Sequence, residues 1–134
     1  MNRAVLLYDS DCGFCRWSLG KVLAWDRRGR LRPVSLQSKE AKELLAGMSE
    51  AERMGSWHLV GPDGELRSAG AGIAPLLRLL PGGSPLAAVA ARMPRVMERG
   101  YRFVAGNRSL WGKLVTEGAK RRADSRIAAR LNRS

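Results

Sequence analysis

Two cysteines, Cys12 and Cys15, stand three residues apart near the start of the chain. An apolar, β-favouring run at residues 5–8 precedes them, and apolar residues at 19–23 follow at the spacing of one helix face. The thiols are therefore predicted to lie where a strand passes into a helix. The first turn of a helix offers unpaired N–H groups and the positive end of the dipole, which stabilise a thiolate. Two sulfurs so placed can also close a small disulfide ring.

The predicted roles of the two thiols differ. Cys12 precedes or begins the helix, so we expect it to be the nucleophile, and Cys15, one turn deeper, to be the resolving thiol. Asp9, Ser10 and Asp11 are all good N-cap residues, and we expect one of them to cap the helix. Carboxylates not used in capping would oppose thiolate formation. Alternatively, Asp11 could accept a proton from Cys15.

At these residues the chain resembles a known family. The motif Tyr-Asp-x-Asp-Cys-x-x-Cys at residues 8–15 is similar to the signature of the DCC thiol-disulfide oxidoreductase family, which has a thioredoxin-like fold. Residues 31–38, 63–66 and 101–108 also match, so the resemblance covers roughly residues 4–114. It implies thiol–disulfide exchange with protein or low-molecular-weight thiols, and it places the four polar residues of this motif in the catalytic site, namely Asp9, Asp11, Cys12 and Cys15.

The order of patterns independently predicts an α/β fold. Strand, helix, strand and helix are followed by a hairpin around residues 61–64 and by a further helix. This order predicts a single thioredoxin-like domain over residues 1–114, with a small mixed sheet flanked by helices and with extra C-terminal helices. Two thioredoxin features are missing: residues 54–57 lack the proline expected before the hairpin, and the first strand carries no buried acid.

Positive charge is concentrated at the C-terminal end. The net charge is +12, and residues 91–134 carry 12 Lys/Arg against 3 Asp/Glu. We expect residues 115–134 to form a basic tail that buries little and is dispensable for folding and redox activity. The alternative function is a non-enzymatic binding module whose basic C-terminal region contacts nucleic acid or anionic membrane.

Two other functions, a phosphatase and a zinc site, have less support from the sequence. Apolar residues followed by Asp9-x-Asp11 resemble the first motif of haloacid-dehalogenase-type phosphatases, but no downstream acidic cluster could hold Mg²⁺. A structural zinc site needs four ligands, and His58 is the single histidine, which we expect to be structural. We therefore predict no metal and no cofactor. We also expect Leu110 and Trp111 to pack on the core, and residues 107–108 to form local hydrogen bonds.

No apolar run approaches the roughly 20 residues that a membrane-spanning helix needs. The first residues do not resemble a signal peptide, so the sequence predicts a cytoplasmic protein. In that compartment, close cysteines are more often catalytic or metal-binding than structural.

Overall fold

Four short strands form one mixed sheet in the computed structural model, which describes residues 3–132. The strands are β1 (Ala4–Tyr8), β2 (Leu31–Ser35), β3 (His58–Val60) and β4 (Leu66–Ser68). Eight α-helices accompany them within the described residues. They are α1 (Gly13–Trp25), α2 (Lys39–Leu44), α3 (Glu50–Met54), α4 (Ile73–Leu79), α5 (Ser84–Arg92), α6 (Pro94–Gly106), α7 (Arg108–Leu114) and α8 (Glu117–Asn132).

The strand order is β2-β1-β3-β4, which confirms the predicted thioredoxin-like α/β fold. β1 pairs in parallel with β2, and α1 forms the crossover between them. β3 and β4 form the predicted hairpin, and β3 runs antiparallel to β1. β2 lies at the edge of the sheet, where Pro33 costs no central hydrogen bond.

Every residue of β1 is buried, because helices cover both faces of the sheet. Successive side chains point to opposite faces. Leu6 packs in a cluster with Leu19 and Leu23 of α1, whereas Leu7 packs on the other face with Ala41 of α2. α1 is therefore fixed along one face of the sheet by the apolar residues that predicted it.

Local signals set the helix boundaries. The Ser38 hydroxyl accepts from the N–H of Ala41, and Ser49 forms a capping box with Glu52. Gly29 follows α1 with a φ of 68°, a conformation that favours glycine. All peptide bonds within residues 3–132 are trans.

The expectation that residues 115–134 bury little is wrong. α8 packs along α1 in the same direction, and Ile127 joins the core cluster of Leu6. Gly20 permits this contact, because a Cβ there would lie 2.6 Å from Cβ of Ala123. A few apolar residues are enough to pack α8 against α1, because they share one face of the helix. The boundary predicted at residue 114 remains a prediction, and residues 133–134 lie outside the described residues.

Arg130 of α8 forms a buried ion pair with Asp26, which ends α1. Their Nη1 and Oδ2 atoms are 2.6 Å apart, and the exposed fractions of the two residues are 8% and 0%. Arg130 also donates to the carbonyl oxygens of Leu23, Asp26 and Leu31. The Asp26 carboxylate accepts from the backbone N–H groups of Arg30 and Leu31. These bonds connect the end of α1, the start of β2 and α8.

We predict that Arg130→Ala lowers the free energy of unfolding by about 3–5 kcal/mol, because it leaves the Asp26 carboxylate buried without its cation. Urea unfolding of the full chain measures this change. Arg121→Ala removes an exposed arginine from the same helix and is expected to change stability by less than about 0.5 kcal/mol. Equal effects of the two substitutions would show that α8 is not docked through Arg130.

Candidate active site

Cys12 is the N-cap of α1. Its φ and ψ angles are −97° and 115°, and its Sγ accepts a hydrogen bond from the N–H of Cys15 at 3.3 Å. The prediction that Asp9, Ser10 or Asp11 caps this helix is therefore wrong. The sulfur of Cys12 faces the unpaired N–H groups of the first turn, where a thiolate is stabilised.

Gln37, just after β2, holds the loop between β1 and α1. Its Nε2 donates to Oδ1 of Asp9 at 2.7 Å and to Oδ2 of Asp11 at 3.3 Å. Its Oε1 accepts from the N–H and the hydroxyl of Ser10, at 3.1 and 2.8 Å. The predicted cap residues are thus bound to Gln37, which leaves the cap position to Cys12. The sequence signal for Gln37 was its place in the matching segment 31–38.

Arg108 is a site residue that the sequence analysis missed. It begins α7, and its Nη1 lies 3.6 Å from Oδ2 of Asp9. Its positive charge also acts on Cys15, where it lowers the thiol pKa. The neighbouring Asn107 makes the predicted local bond, from Nδ2 to the carbonyl oxygen of Phe103 at 2.8 Å. Arg108 instead acts on two groups of the site, the carboxylate of Asp9 and the thiol of Cys15.

Cys15 faces an apolar cavity of about 280 Å³ beside α1. The cavity walls come from β1, α1, α4 and α6, with Ser56 and Trp57 in the segment where thioredoxins carry their proline. Burial, the hydrogen bond with Cys12 and the charge of the Cys12 thiolate raise the pKa of Cys15 to about 12. Cys15 is therefore a protonated thiol at neutral pH.

Cys12 lines a separate polar groove of about 570 Å³. Its cationic side chains are Arg108, Lys113 and Lys120, and its anionic side chains are Asp9, Asp11 and Glu117. Lys120 comes from α8 and lies over Gly13, since a Cβ on that glycine would be 3.0 Å from Cε of Lys120. α8 thus contributes a cation beside Cys12, contrary to the expectation of a dispensable tail.

The family model for DCC1-like thiol-disulfide oxidoreductases matches residues 6–114. The chain belongs to this family. The membership confirms the resemblance of the motif at residues 8–15 and supports a general oxidoreductase activity. Searches of curated proteins and of solved structures found no match. α8 follows the matched residues, so this DCC1-like protein receives Lys120 from outside them.

The structure also places three other residues of this DCC1-like protein whose positions were predicted. His58 is buried, with Nδ1 2.5 Å from the Ser68 hydroxyl and Nε2 2.9 Å from the carbonyl oxygen of Arg53, as expected for a structural histidine. Leu110 is 54% exposed, so its predicted packing on the core is wrong. Trp111 is partly buried.

The described residues also bear on metals and membranes. No group of three or more His, Cys, Asp or Glu side chains within residues 3–132 could hold a metal ion. In the same part of the chain, no helix combines the length and the apolar character that crossing a bilayer requires.

We predict that Cys15 in the folded, reduced protein is alkylated by iodoacetamide at pH 8 at least about a hundredfold more slowly than in the urea-unfolded chain. A pKa raised from 9.0 to about 12 leaves little reactive thiolate at that pH. Peptide mass mapping follows each cysteine separately, and the unfolded chain is the control. Equal Cys15 rates in both states would contradict the raised pKa.

Proposed function

We propose that this protein exchanges disulfides through unequal cysteines, with Cys12 as the attacking thiolate and Cys15 as the resolving thiol. The observation that carries the proposal is the difference between their surroundings. Cys12 caps α1 in a polar groove lined by three cations and three carboxylates, whereas Cys15 is protonated against an apolar cavity. Accessible thiolates beside helix N-termini are the reactive ones.

In the first step, the Cys12 thiolate attacks one sulfur of the substrate disulfide. A Cys12–substrate disulfide forms, the substrate S–S bond breaks, and the second substrate sulfur leaves as a thiolate that takes a proton. The N–H of Cys15 stabilises the Cys12 sulfur before attack. Lys113 and Lys120 line the groove together with Glu117, which pairs with Lys120 at 3.4 Å.

In the second step, Cys15 loses its proton and attacks Sγ of Cys12. This attack forms the Cys12–Cys15 disulfide and releases the bound substrate as a thiolate, so the substrate gains two electrons in all. Once Cys12 is in a mixed disulfide, its negative charge no longer raises the pKa of Cys15. The cation of Arg108 lowers that pKa further. Deprotonation of Cys15 is therefore coupled to the first step.

Asp9 is the better candidate for the proton acceptor of Cys15. It lines the same cavity as Cys15, and its charge acts on the Cys15 thiol, whereas Asp11 lines the groove on the Cys12 side. We therefore assign to Asp9 the role that the sequence analysis considered for Asp11. Asp11 then contributes to the loop held by Gln37.

The substrates that we propose are disulfides of proteins or of low-molecular-weight thiols. The cavity beside Cys15 favours a substrate with an apolar group close to its disulfide, because the cavity walls are mostly apolar. The sequence contains no dinucleotide-binding fingerprint, so another thiol would restore the reduced pair. The cytoplasmic location stays a prediction.

The non-enzymatic binding module loses support from the placement of α8. Arg130 is buried against Asp26, and Lys120 lies beside the cysteine site. These cations are thus less available to nucleic acid or lipid than a solvated tail would make them. Contact of the tail with such partners stays a prediction.

We predict that Cys15→Ser accumulates a mixed disulfide on Cys12 after exposure to oxidised glutathione, because attack is retained and resolution is lost. Cys12→Ser is expected to form little adduct and to abolish disulfide reduction. Intact-mass analysis of the two variants and the wild type measures both outcomes. Equal adducts on the two variants would refute the assigned order, and a wild type that never forms the internal disulfide would refute the function.

We predict that Asp9→Asn slows release of the mixed disulfide about a hundredfold, the size of a general-base contribution, while Asp11→Asn changes it less than about threefold. Both substitutions remove one carboxylate charge from the same loop, so each controls for the other. Stopped-flow release of a chromogenic thiol bound at Cys12 measures the step. Faster release in Asp9→Asn would mean that Asp9 acts only through its charge, which raises the pKa of Cys15.

A further inference from the structure

The outer side of α6 carries a stripe of exposed apolar side chains. Met93, Val96, Phe103 and Val104 are exposed by 42%, 50%, 64% and 38%. Met93 is the N-cap of α6, and the spacing from Val96 to Phe103 and Val104 is 7 and 8 residues, so these three share one helix face. Val104 lies at the edge of that face and also lines the apolar cavity beside Cys15. We call these four residues the α6 stripe.

A row of arginines borders the α6 stripe. Arg95, Arg99 and Arg102 of α6 follow at intervals of three or four residues, Arg92 ends α5 just before them, and all four are exposed. Arg102 pairs with Glu98 at 3.2 Å. Within residues 3–132, the other three arginines of the row make no ion pair. α6 therefore presents an uncovered apolar face beside an uncovered cationic one.

The inner side of α6 faces the rest of the protein, so its outer side faces solvent. Tyr101 and Ala105 line the apolar cavity, and the Tyr101 hydroxyl accepts from the N–H of Trp57 at 3.3 Å. The Glu98 carboxylate accepts from the N–H of Gly70 at 3.0 Å. A Cβ on Gly70 would lie 2.6 Å from Cα of Glu98, so the approach is close.

The helices before and after α6 also carry exposed apolar residues. Single exposed apolar residues are ordinary, but a concentration of them marks an interaction surface. The flanking residues are exposed by 54% to 67%. They are Leu86 and Val89 in α5 and Leu110 and Leu114 in α7.

We propose that the α6 stripe and its arginine row bind the surface of an anionic phospholipid bilayer. An amphipathic helix lies in the plane of the interface, with its apolar side chains at the acyl boundary and its cations among the headgroups. α6 has thirteen residues and is about 20 Å long, enough for several such contacts. The net charge of +12 attracts the whole protein to an anionic surface.

Two other partners fit these observations less well. Nucleic acid would engage the arginines through phosphates, but it would leave the exposed Phe103 and Val96 without an apolar partner. A second copy of the chain would cover the α6 stripe, but it would also bring together two copies that each carry a charge of +12. A lipid surface satisfies the apolar and the cationic faces together.

Vesicle sedimentation of the full chain tests the proposal. We expect binding to vesicles of phosphatidylcholine mixed with phosphatidylglycerol, little binding to phosphatidylcholine alone, and weaker binding as salt rises. Absence of binding to the mixed vesicles would overturn the proposal.

Apolar substitutions test the α6 stripe itself. The double variant Val96→Ser and Phe103→Ser is expected to lower vesicle affinity at least about tenfold, since both side chains leave the acyl boundary. Leu66→Ser, which changes an exposed leucine on β4, is the control and is expected to bind as the wild type does. Undiminished binding of the double variant would overturn the proposal. Neither Val96 nor Phe103 lines the cysteine site, and urea unfolding of each variant checks that it is folded.

A matched pair of charge variants separates α6 from general basic attraction. Arg95→Gln with Arg99→Gln should lower affinity about thirtyfold, from roughly one headgroup contact for each arginine. Arg121→Gln with Arg122→Gln removes the same charge from exposed positions on α8 and should lower affinity less than about threefold. Equal losses would show binding through net charge or through the tail, against the proposal.

The same variants distinguish the competing partners. If duplex DNA binds more tightly than the mixed vesicles, and the loss of Val96 and Phe103 leaves that binding unchanged, the surface is a nucleic-acid site and the proposal fails. If size-exclusion chromatography shows a dimer that the double variant converts to a monomer, the α6 stripe is an interface between copies and the proposal also fails.

Discussion

The buried ion pair of Asp26 and Arg130 is the constraint on which the placement of the cysteine site depends. It holds the C-terminal end of α1 against both the start of β2 and α8. α8 lies parallel to α1, so Ala123 packs at Gly20 and Lys120 lies over Gly13 at the other end of the helix. The cysteines therefore lie on a helix that is held at both ends. An isolated buried pair is a weak source of stability, so its importance here lies in what it aligns.

Much of the fold follows from local patterns, and these were predictable. The bounds of α1, the caps at Ser38 and Ser49 and the hairpin all depend on residues a few positions apart. The docking of α8 depends on partners about 100 residues away in sequence. Arg130 pairs with Asp26, and Ala123 packs against Gly20, where any side chain would clash. A scarcity of apolar residues gives no sign of such contacts, so the helix looked like a solvated tail.

In the cysteine site, too, the local features could be predicted and the long-range contacts could not. The motif at residues 8–15 predicted the strand, the thiols and the helix start, because all of them are local. It could not show that Gln37 forms hydrogen bonds with Asp9 and Ser10. Nor could it show that Arg108, almost 100 residues away in sequence, pairs with Asp9. Asp and Ser are preferred caps in general, but here their oxygens already have other hydrogen bonds. Cys12 takes the cap as a result.

A helix cap made by a sulfur atom links the stability of α1 to the oxidation state of the protein. In the reduced form, Sγ of Cys12 accepts the N–H of Cys15. In a disulfide that sulfur carries no negative charge and accepts more weakly, so oxidation weakens the cap. An N-cap is worth about 0.5–2 kcal/mol. Because about 1.4 kcal/mol corresponds to 30 mV for a two-electron couple, complete loss of the cap on oxidation would raise the reduction potential of the proposed pair by about 10–40 mV. The first turn of α1 would thus make the proposed disulfide a stronger oxidant than the same two cysteines would form in an uncapped chain.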